Sequence, residues 1–114
     1  MKANNISKKK IIKVVETIKI KNKSFKVRID TGAKRSSISK NLVKKLKLGP
    51  AIGKVEVKSS NGVSIRPLIR IDFLLKGVGI STEFTVADRK HMNYPILIGR
   101  NALRKGFLID PGKK

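Results

Sequence analysis

The chain has 114 residues, a formal net charge of +21, one histidine and no cysteine. This length suits one domain, which we place at residues 11–112, after a basic flexible arm at residues 1–10. The lack of cysteine excludes a disulfide framework and a thiolate metal site. No apolar run is long enough to span a membrane, and the first residues lack the apolar core of a signal peptide. These features predict a cytoplasmic protein without membrane contact.

The net charge is the strongest feature of the composition. Cations release counterions from nucleic acid and steer acidic partners towards the surface, so nucleic acid and an acidic peptide would both respond to this field. A lysine-rich surface that only keeps a small protein soluble would have the same composition. Charge alone leaves these interpretations open.

The first half of the chain predicts a hairpin, a connector and a helix. Residues 11–20 are rich in β-branched side chains and residues 25–29 alternate, so the two segments are expected to pair as a hairpin. Residues 36–39 are predicted to be a short connector. A helix is predicted at residues 40–48, because Ser39 suits its N-cap and its apolar side chains share one face.

A second hairpin is predicted in the middle of the chain. Residues 54–58 alternate cleanly and are followed by Asn61-Gly62, and Asn-Gly between two alternating runs is the strongest short hairpin signal. The returning strand covers residues 64–75. Pro67 interrupts it and indicates an exposed or edge position there, because proline cannot donate to a ladder.

The remaining segments continue the β pattern. Lys76-Gly77 predicts a turn into a strand that includes residues 80–87, and residues 95–98 form the continuous apolar run of a buried strand. Residues 101–104 are long enough for one or two helical turns. The sequence therefore predicts an all-β fold with one short C-terminal helix, besides the short helix predicted after Ser39.

Asp30-Thr31-Gly32-Ala33 ends the strand at residues 25–29. A tight turn after the aspartate needs Gly32, and the Thr31 hydroxyl suits a hydrogen bond within that turn. Aspartic proteases need two such carboxylates, close enough to share one proton. Because this chain has one such triplet, the second aspartate would have to come from a second copy of the chain.

The order of these motifs resembles the retropepsin-like fold of retroviral aspartic proteases, whose active-site loop carries Asp-Thr-Gly-Ala and whose helix opens with Gly-Arg-Asn. The nearer resemblance is to a cellular branch, the RimK-associated family labelled ATP-dependent zinc proteases, RimK being a ribosomal-protein glutamate ligase. The resemblance covers roughly residues 11–112. The segments that carry it are Ile29–Lys34, Ser36-Ser37, Ser59–Gly62, Arg66-Pro67, Asp88–Pro95, Leu97–Arg100, Ala102-Leu103 and Phe107–Pro111.

The resemblance implies a retropepsin-like closed barrel that works as a homodimer. Asp30 would act as general base on a water held between the two copies, while the protonated partner aspartate polarises the scissile carbonyl. Thr31 and Gly32 would hold the two loops across the two-fold axis, and residues 59–63 would form a flap over the substrate. The substrate-binding residues expected on this basis are Ala33, Lys34, Arg35, Ser60, Asn61, Gly62, Arg66 and Arg89.

The chain departs from these relatives in two respects. In retroviral enzymes an acid follows Asp-Thr-Gly-Ala and pairs with the arginine of Gly-Arg-Asn, whereas Lys34 stands there in this chain, so Arg100 needs another partner. A catalytic zinc prefers three protein ligands, and the candidates here are only Asp88, His91 and Asp30. The chain also lacks the glycine-rich phosphate loop that ATP binding requires. We therefore expect no cofactor.

The cations beside the expected cleft favour an acidic peptide as substrate, because arginine holds carboxylates with two parallel bonds. The resemblance to a family linked to a glutamate-adding ligase implies that this substrate is an acidic or glutamylated peptide tail. A RimK-like ligase or the ribosome is the expected partner. One alternative is a catalytically silent binding module for such a partner. A second alternative is a basic nucleic-acid-binding protein, although one tyrosine and four phenylalanines supply little base stacking.

Overall fold

A computed structural model of the protein describes residues 10–104, 106–110 and 112, with the side chains of all of these except Ser59 and Leu108. Residues 1–9 of the predicted arm lie outside this range, and Lys10 is the first residue of a strand. The elements are β1 (Lys10–Lys13), β2 (Val15–Ile20), β3 (Lys23–Ile29), β4 (Ser36–Ser39), α1 (Lys40–Leu46), β5 (Gly53–Ser59), β6 (Gly62–Leu75), β7 (Val78–Ala87), β8 (Ile96–Ile98), α2 (Arg100–Leu103) and β9 (Phe107–Asp110).

Six of these strands close into a barrel. The seven-stranded sheet has the order β2-β3-β8-β4-β7-β6-β5, and β2 also pairs with β6, which closes the barrel and leaves β5 outside it. Closure removes the edge at β2 and leaves β5 as the edge strand of this sheet. The prediction of an all-β closed barrel is therefore confirmed.

The barrel interior is filled mainly by isoleucine, valine and leucine. Ile18, Ile38 and Ile96 are fully buried, as the alternation of their strands requires. Phe73 and Phe84 meet edge to face, with ring centroids 5.6 Å apart and planes at 80°. This geometry is favoured because the ring edge is positive and the ring face negative.

The first predicted hairpin is confirmed, with one correction. β2 and β3 pair through a two-residue turn in which Lys21 and Asn22 both have positive φ, as a type I′ turn requires. The expected strand at residues 11–20 is divided at Val14, and its first part, β1, pairs in parallel with β9. The Lys13 N–H donates to Glu16 Oε2 at 2.8 Å, so a buried carboxylate stabilises the division.

The prediction of a connector at residues 36–39 is wrong. These residues form β4, which runs parallel to β7 and antiparallel to β8, and all four are buried. Three serines did not resemble a buried strand in the sequence. The Ser36 hydroxyl donates to Asn101 and the Ser39 hydroxyl accepts from the Leu42 N–H, so two of the three buried serines are paired. The Ser37 hydroxyl is buried without a hydrogen-bond partner among the described residues.

The predicted helix after Ser39 is confirmed but ends two residues early. The Leu42 N–H donates to Ser39 Oγ at 3.0 Å, which is an N-cap bond. α1 ends at Leu46 because Lys47 takes the left-handed conformation, with φ of 55°. The Lys21 ammonium donates to the carbonyl of Leu46 at 3.0 Å. Neither helix in the described ranges has the length and apolar character needed to cross a membrane.

The central hairpin, β5 with β6, is also confirmed, and its outer part projects from the barrel. β6 pairs with β7 only from Leu68 onwards, whereas residues 62–67 of β6 pair with β5 alone. We call β5, the turn and residues 62–67 the projecting hairpin. Its Val63 and Ile65 are each 59% exposed. Pro67 is exposed as expected.

Candidate active site

Asp30 follows β3 and is held by the neighbouring strand. Its N–H donates to the Ile98 carbonyl at 2.8 Å, which extends the parallel pairing of β3 and β8 by one residue. The Gly32 N–H donates to Asp30 Oδ1 at 2.9 Å, and the Ala33 N–H to the Asp30 carbonyl at 3.2 Å. No ion pair engages Asp30 among the described residues. The turn therefore orients a half-buried carboxylate without neutralising it.

Residues 30–35, which we call the Asp30 loop, accept hydrogen bonds from the start of α2. The Arg100 N–H donates to the Ala33 carbonyl at 2.8 Å, and the Asn101 N–H donates to that of Lys34 at 3.2 Å. Arg100 Nη1 donates to the Thr31 carbonyl at 3.0 Å. The partner that Arg100 needs in place of an acid is thus a backbone oxygen within the loop itself.

A partly buried hydrogen-bond network joins the end of the Asp30 loop to α2. Asn101 Oδ1 accepts from both the N–H and the Oγ of Ser36, at 3.1 and 2.8 Å, and Asn101 Nδ2 donates to the Glu83 carbonyl at 2.8 Å. The Gly99 N–H donates to Ser36 Oγ at 3.0 Å. A network whose members are all paired fixes one arrangement, because any alternative leaves buried polar groups unpaired.

Gly99 is required where β8 passes into α2. A Cβ on this residue would lie 2.5 Å from the Arg35 carbonyl oxygen and 2.8 Å from that of Ala33. Both contacts are with backbone atoms, so a Cβ at this position would displace the Asp30 loop. The glycine of the Gly-Arg-Asn motif therefore permits the close approach of α2 to the Asp30 loop.

Two of the predicted substrate-binding arginines, Arg66 and Arg89, lie outside the Asp30 loop and are near enough for their charges to interact. Arg66 is on the projecting hairpin, and Arg89 is in the segment at residues 88–95, where its Nε donates to the Tyr94 carbonyl at 3.1 Å. Burial lowers the pKa of the Arg89 guanidinium, and the positive charge of Arg66 lowers this pKa further. Neither arginine has an ion-pair partner among the described residues.

The other predicted site residues fall into two groups. Lys34 and Arg35 are exposed and line a cavity beside the Asp30 loop. Ser60 and Asn61 form the turn of the projecting hairpin, and Gly62 follows with φ of 109°. The structure thus brings together the Asp30 loop, and separately the Arg66–Arg89 pair, while the hairpin turn belongs to another part of the fold.

Sequence reasoning missed the residues that support the loop from β7. The carbonyl of Glu83 accepts from Asn101, and Thr82 Oγ1 donates to the Asn101 carbonyl at 3.4 Å. The polar side chains of Ser36 and Thr82 at buried strand positions were the available signal. They required a partner that only the fold identifies.

The candidates for a metal site do not converge in the described part of the chain. No group of three or more His, Asp or Glu side chains that could hold a metal forms there. Asp88 accepts from the Lys90 N–H at 3.2 Å and lies 4.0 Å from the Lys90 ammonium, so its contacts are local.

Solved structures with the same fold come from a bacterium and from foamy viruses. A Legionella pneumophila protein of unknown function superposes with a TM-score of 0.62 at 21% identity, covering 90% of this chain and 94% of that one. Simian foamy virus (mac) protease gives 0.63 at 17% identity, with coverage of 79% and 91%. A foamy viral protease-reverse transcriptase in complex with an RNA/DNA hybrid gives 0.64 at 17%, with coverage of 81% and 12%. At these identities the likeness concerns the fold, and it confirms the retropepsin-like architecture.

No curated protein matches this sequence significantly. The family model described as RimB-like, retropepsin-like aspartic endopeptidase RimB, matches residues 40–114. The matched segment includes the projecting hairpin and the Gly99-Arg100-Asn101 motif, and it begins after the Asp30 loop. The chain therefore belongs to the RimB-like family of retropepsin-like aspartic endopeptidases.

Proposed function

We propose that the protein is an aspartic endopeptidase that acts as a homodimer, with Asp30 from each chain forming the catalytic pair. The observation that carries this proposal is the way Asp30 is held: Ile98 fixes its backbone, Gly32 orients one carboxylate oxygen, and no cation neutralises it among the described residues. A preorganised carboxylate of this kind suits general-base activation of water.

The proposed reaction divides the work between the two carboxylates. One Asp30 takes a proton from a water as that water attacks the scissile carbonyl, and the protonated Asp30 of the second copy donates a hydrogen bond to the carbonyl oxygen. Collapse of the tetrahedral intermediate breaks the C–N bond and returns a proton to the leaving amine. Thr31 and Gly32 are exposed and available to meet their counterparts in the second chain.

Features of the β1–β9 sheet support dimerisation. This sheet has two strands, and within the described residues neither strand pairs with a third one. Ile11 of β1 is 62% exposed, which is unusual for a large apolar side chain on a strand. Pairing of this sheet with that of a second copy would extend it across the dimer and would cover Ile11.

The proposed substrate is an acidic or glutamylated peptide tail. Burial and, to a smaller extent, the charge of Arg66 lower the pKa of the Arg89 guanidinium, and a carboxylate bound beside these two arginines would compensate both effects. The exposed Val63 and Ile65 would cover the peptide from the projecting hairpin. A RimK-like ligase that adds glutamates, or the ribosome, would supply such a tail in the cytoplasm.

The test is mass-spectrometric detection of cleavage in matched glutamate-rich and neutral peptides. Wild type should cleave, preferring the glutamate-rich set, and Asp30→Asn should not. Asp72→Asn is the matched control, since Asp72 is exposed on β6 outside the Asp30 loop, and it should retain full activity. Equal cleavage by wild type and Asp30→Asn would contradict the assignment of Asp30.

A silent binding module is the second candidate, because the family model matches the chain only from residue 40 onwards and so does not include the Asp30 loop. Under this alternative the chain would bind the acidic tail without cutting it. Tight binding of a glutamate-rich peptide by dimeric wild type, with no product after long incubation, would establish the module and exclude the endopeptidase.

A further inference from the structure

A cationic cavity of about 460 Å³ lies beside the Asp30 loop. Four cations line it: Lys34 and Arg35 from the loop, Arg70 from β6, and Arg104 just after α2. Glu83 of β7 is the one acid among its described lining residues, and its carboxylate is already 3.3 Å from an Arg70 nitrogen. The other three cations have no ion-pair partner in the described ranges, so the cavity carries an uncompensated positive charge.

The frame of this cationic cavity is the same hydrogen-bond network that fixes the Asp30 loop. The Asn101 N–H donates to the Lys34 carbonyl, and Asn101 Nδ2 donates to the Glu83 carbonyl at 2.8 Å. Thr82 Oγ1 donates to the Asn101 carbonyl at 3.4 Å. The backbone positions from which the cations extend are therefore set in advance, at a fixed relation to Asp30.

We propose that the cationic cavity is an exosite, which binds carboxylate side chains of an acidic peptide at a distance from the bond that Asp30 would cut. Lys34 and Arg35 follow Asp30 in one loop, so the loop that carries the proposed catalytic carboxylate also contributes two of the cations that line the cavity. Arginine forks bind carboxylates through two parallel hydrogen bonds, and Ser81 lines the cavity with a further hydroxyl. The use of the exosite in cleavage rests on the proposed function, whereas the binding itself does not.

The lining favours a carboxylate-bearing peptide over nucleic acid. Among the described residues that line the cavity there is no aromatic ring, so a nucleic acid would gain phosphate contacts without base stacking. Carboxylates on a flexible chain need only the cations. The volume also exceeds what one carboxylate group occupies, so the cavity has room for more than one acidic side chain.

The experiment measures binding in a chain that lacks the proposed catalytic carboxylate. A fluorescein-labelled oligoglutamate peptide is titrated with the full-length Asp30→Asn protein, with a labelled oligoglutamine peptide of equal length as the neutral probe. The exosite variant adds Arg35→Gln and Arg104→Gln, two cations whose removal leaves no acid unpaired. The charge-matched control adds Lys23→Gln and Lys26→Gln, which are exposed on β3.

We expect the exosite variant to bind oligoglutamate about tenfold more weakly than the Asp30→Asn parent, and the control to change affinity by less than about twofold. Thermal unfolding of each variant verifies the fold, and Arg104→Gln alone, with an expected loss of about threefold, replaces the pair if that pair does not fold. Equal losses in the exosite and control variants would overturn the proposal, because the net charge would then account for binding.

Two further outcomes would overturn it. One is no binding of oligoglutamate by the Asp30→Asn protein. The other is a single-stranded oligonucleotide that binds more tightly than oligoglutamate and whose affinity falls in the exosite variant, which would make the cavity a nucleic-acid site. Because the readout needs no hydrolysis, absence of peptidase activity in wild type would not affect this test.

Discussion

The Asp30 loop and the projecting hairpin are built in opposite ways. The loop is fixed by hydrogen bonds to the Ile98 carbonyl and from Arg100 and Asn101, and its supporting serine, Ser36, is fully buried. The hairpin extends beyond the barrel, pairs only with itself before Leu68, and exposes apolar side chains.

The difference suits the two tasks in the proposed reaction: the Asp30 loop positions the carboxylate, and the projecting hairpin covers the peptide. A carboxylate that must meet a second carboxylate across a symmetry axis has to be placed accurately, which a buried and fully paired network achieves. A segment that closes over a peptide has to move, which requires few contacts with the rest of the fold. Substitutions in the loop should therefore reduce stability, and substitutions in the hairpin should alter substrate binding alone.

Gly99→Ala should have the largest effect, because the added Cβ would meet backbone oxygens of the Asp30 loop at 2.5 and 2.8 Å. We expect the free energy of unfolding to fall by about 3 kcal/mol, measured by urea denaturation. Gly53→Ala is the matched control, since a Cβ there meets nothing within 4 Å. An unchanged stability of Gly99→Ala would show that the loop is not held closely against α2.

Asn101→Ala should have the next largest effect on the free energy of unfolding. It removes one acceptor and one donor, leaving the Ser36 N–H and hydroxyl and the Glu83 carbonyl without this partner. The expected loss is about 2 kcal/mol of unfolding free energy. Asn41→Ala, at an exposed position of α1, should change it by less than about 0.5 kcal/mol. Similar values for both variants would refute the structural role of the network.

Arg100→Met should have a moderate effect, because it removes the Nη1 hydrogen bond to the Thr31 carbonyl but keeps the aliphatic stem. We expect the free energy of unfolding to fall by about 1 kcal/mol. The rate of peptide cleavage should also fall, because the turn that positions Asp30 becomes less rigid. Arg28→Met, at an exposed position on β3, serves as the control for loss of one charge. Full activity of Arg100→Met would indicate that the Asp30 loop does not depend on this bond.

The pair Val63→Ser and Ile65→Ser should leave the unfolding free energy within about 0.5 kcal/mol of wild type, since both side chains are 59% exposed. Peptide kcat/KM should nevertheless fall by about tenfold, because the apolar cover is lost. Leu74→Ser is the control, on β6 at the end far from the hairpin turn. A loss of stability with unchanged kinetics would show that the projecting hairpin stabilises the fold and does not bind the peptide.

The two regions also differ in how well the sequence predicts them. The β5–β6 hairpin follows from local information, namely alternation on both sides of a turn-forming Asn-Gly. The Asp30 loop is found by its motif, but its support comes from residues far away in the chain, such as Glu83. Such contacts leave no periodic signal.

The wrong predictions from the sequence also concern contacts between residues that are far apart in the chain. Ser36–Ser39 lack the apolar pattern of a strand, and they form β4 because β7 and β8 provide partners on both sides. The parallel pairing of β1 with β9 joins opposite ends of the described chain. The electrostatic interaction of Arg66 with Arg89 likewise depends on two segments that are far apart in the sequence.

Mixing wild-type and Asp30→Asn chains tests the shared active site most directly. Wild-type concentration is held constant while the Asp30→Asn chain is added, and cleavage of a glutamate-rich peptide is followed after exchange of subunits. If each site needs Asp30 from two chains, a ninefold excess of Asp30→Asn should lower the rate about tenfold, because most wild-type chains then occupy mixed dimers. A rate that does not change with added Asp30→Asn would contradict the shared site and place any activity within a single chain.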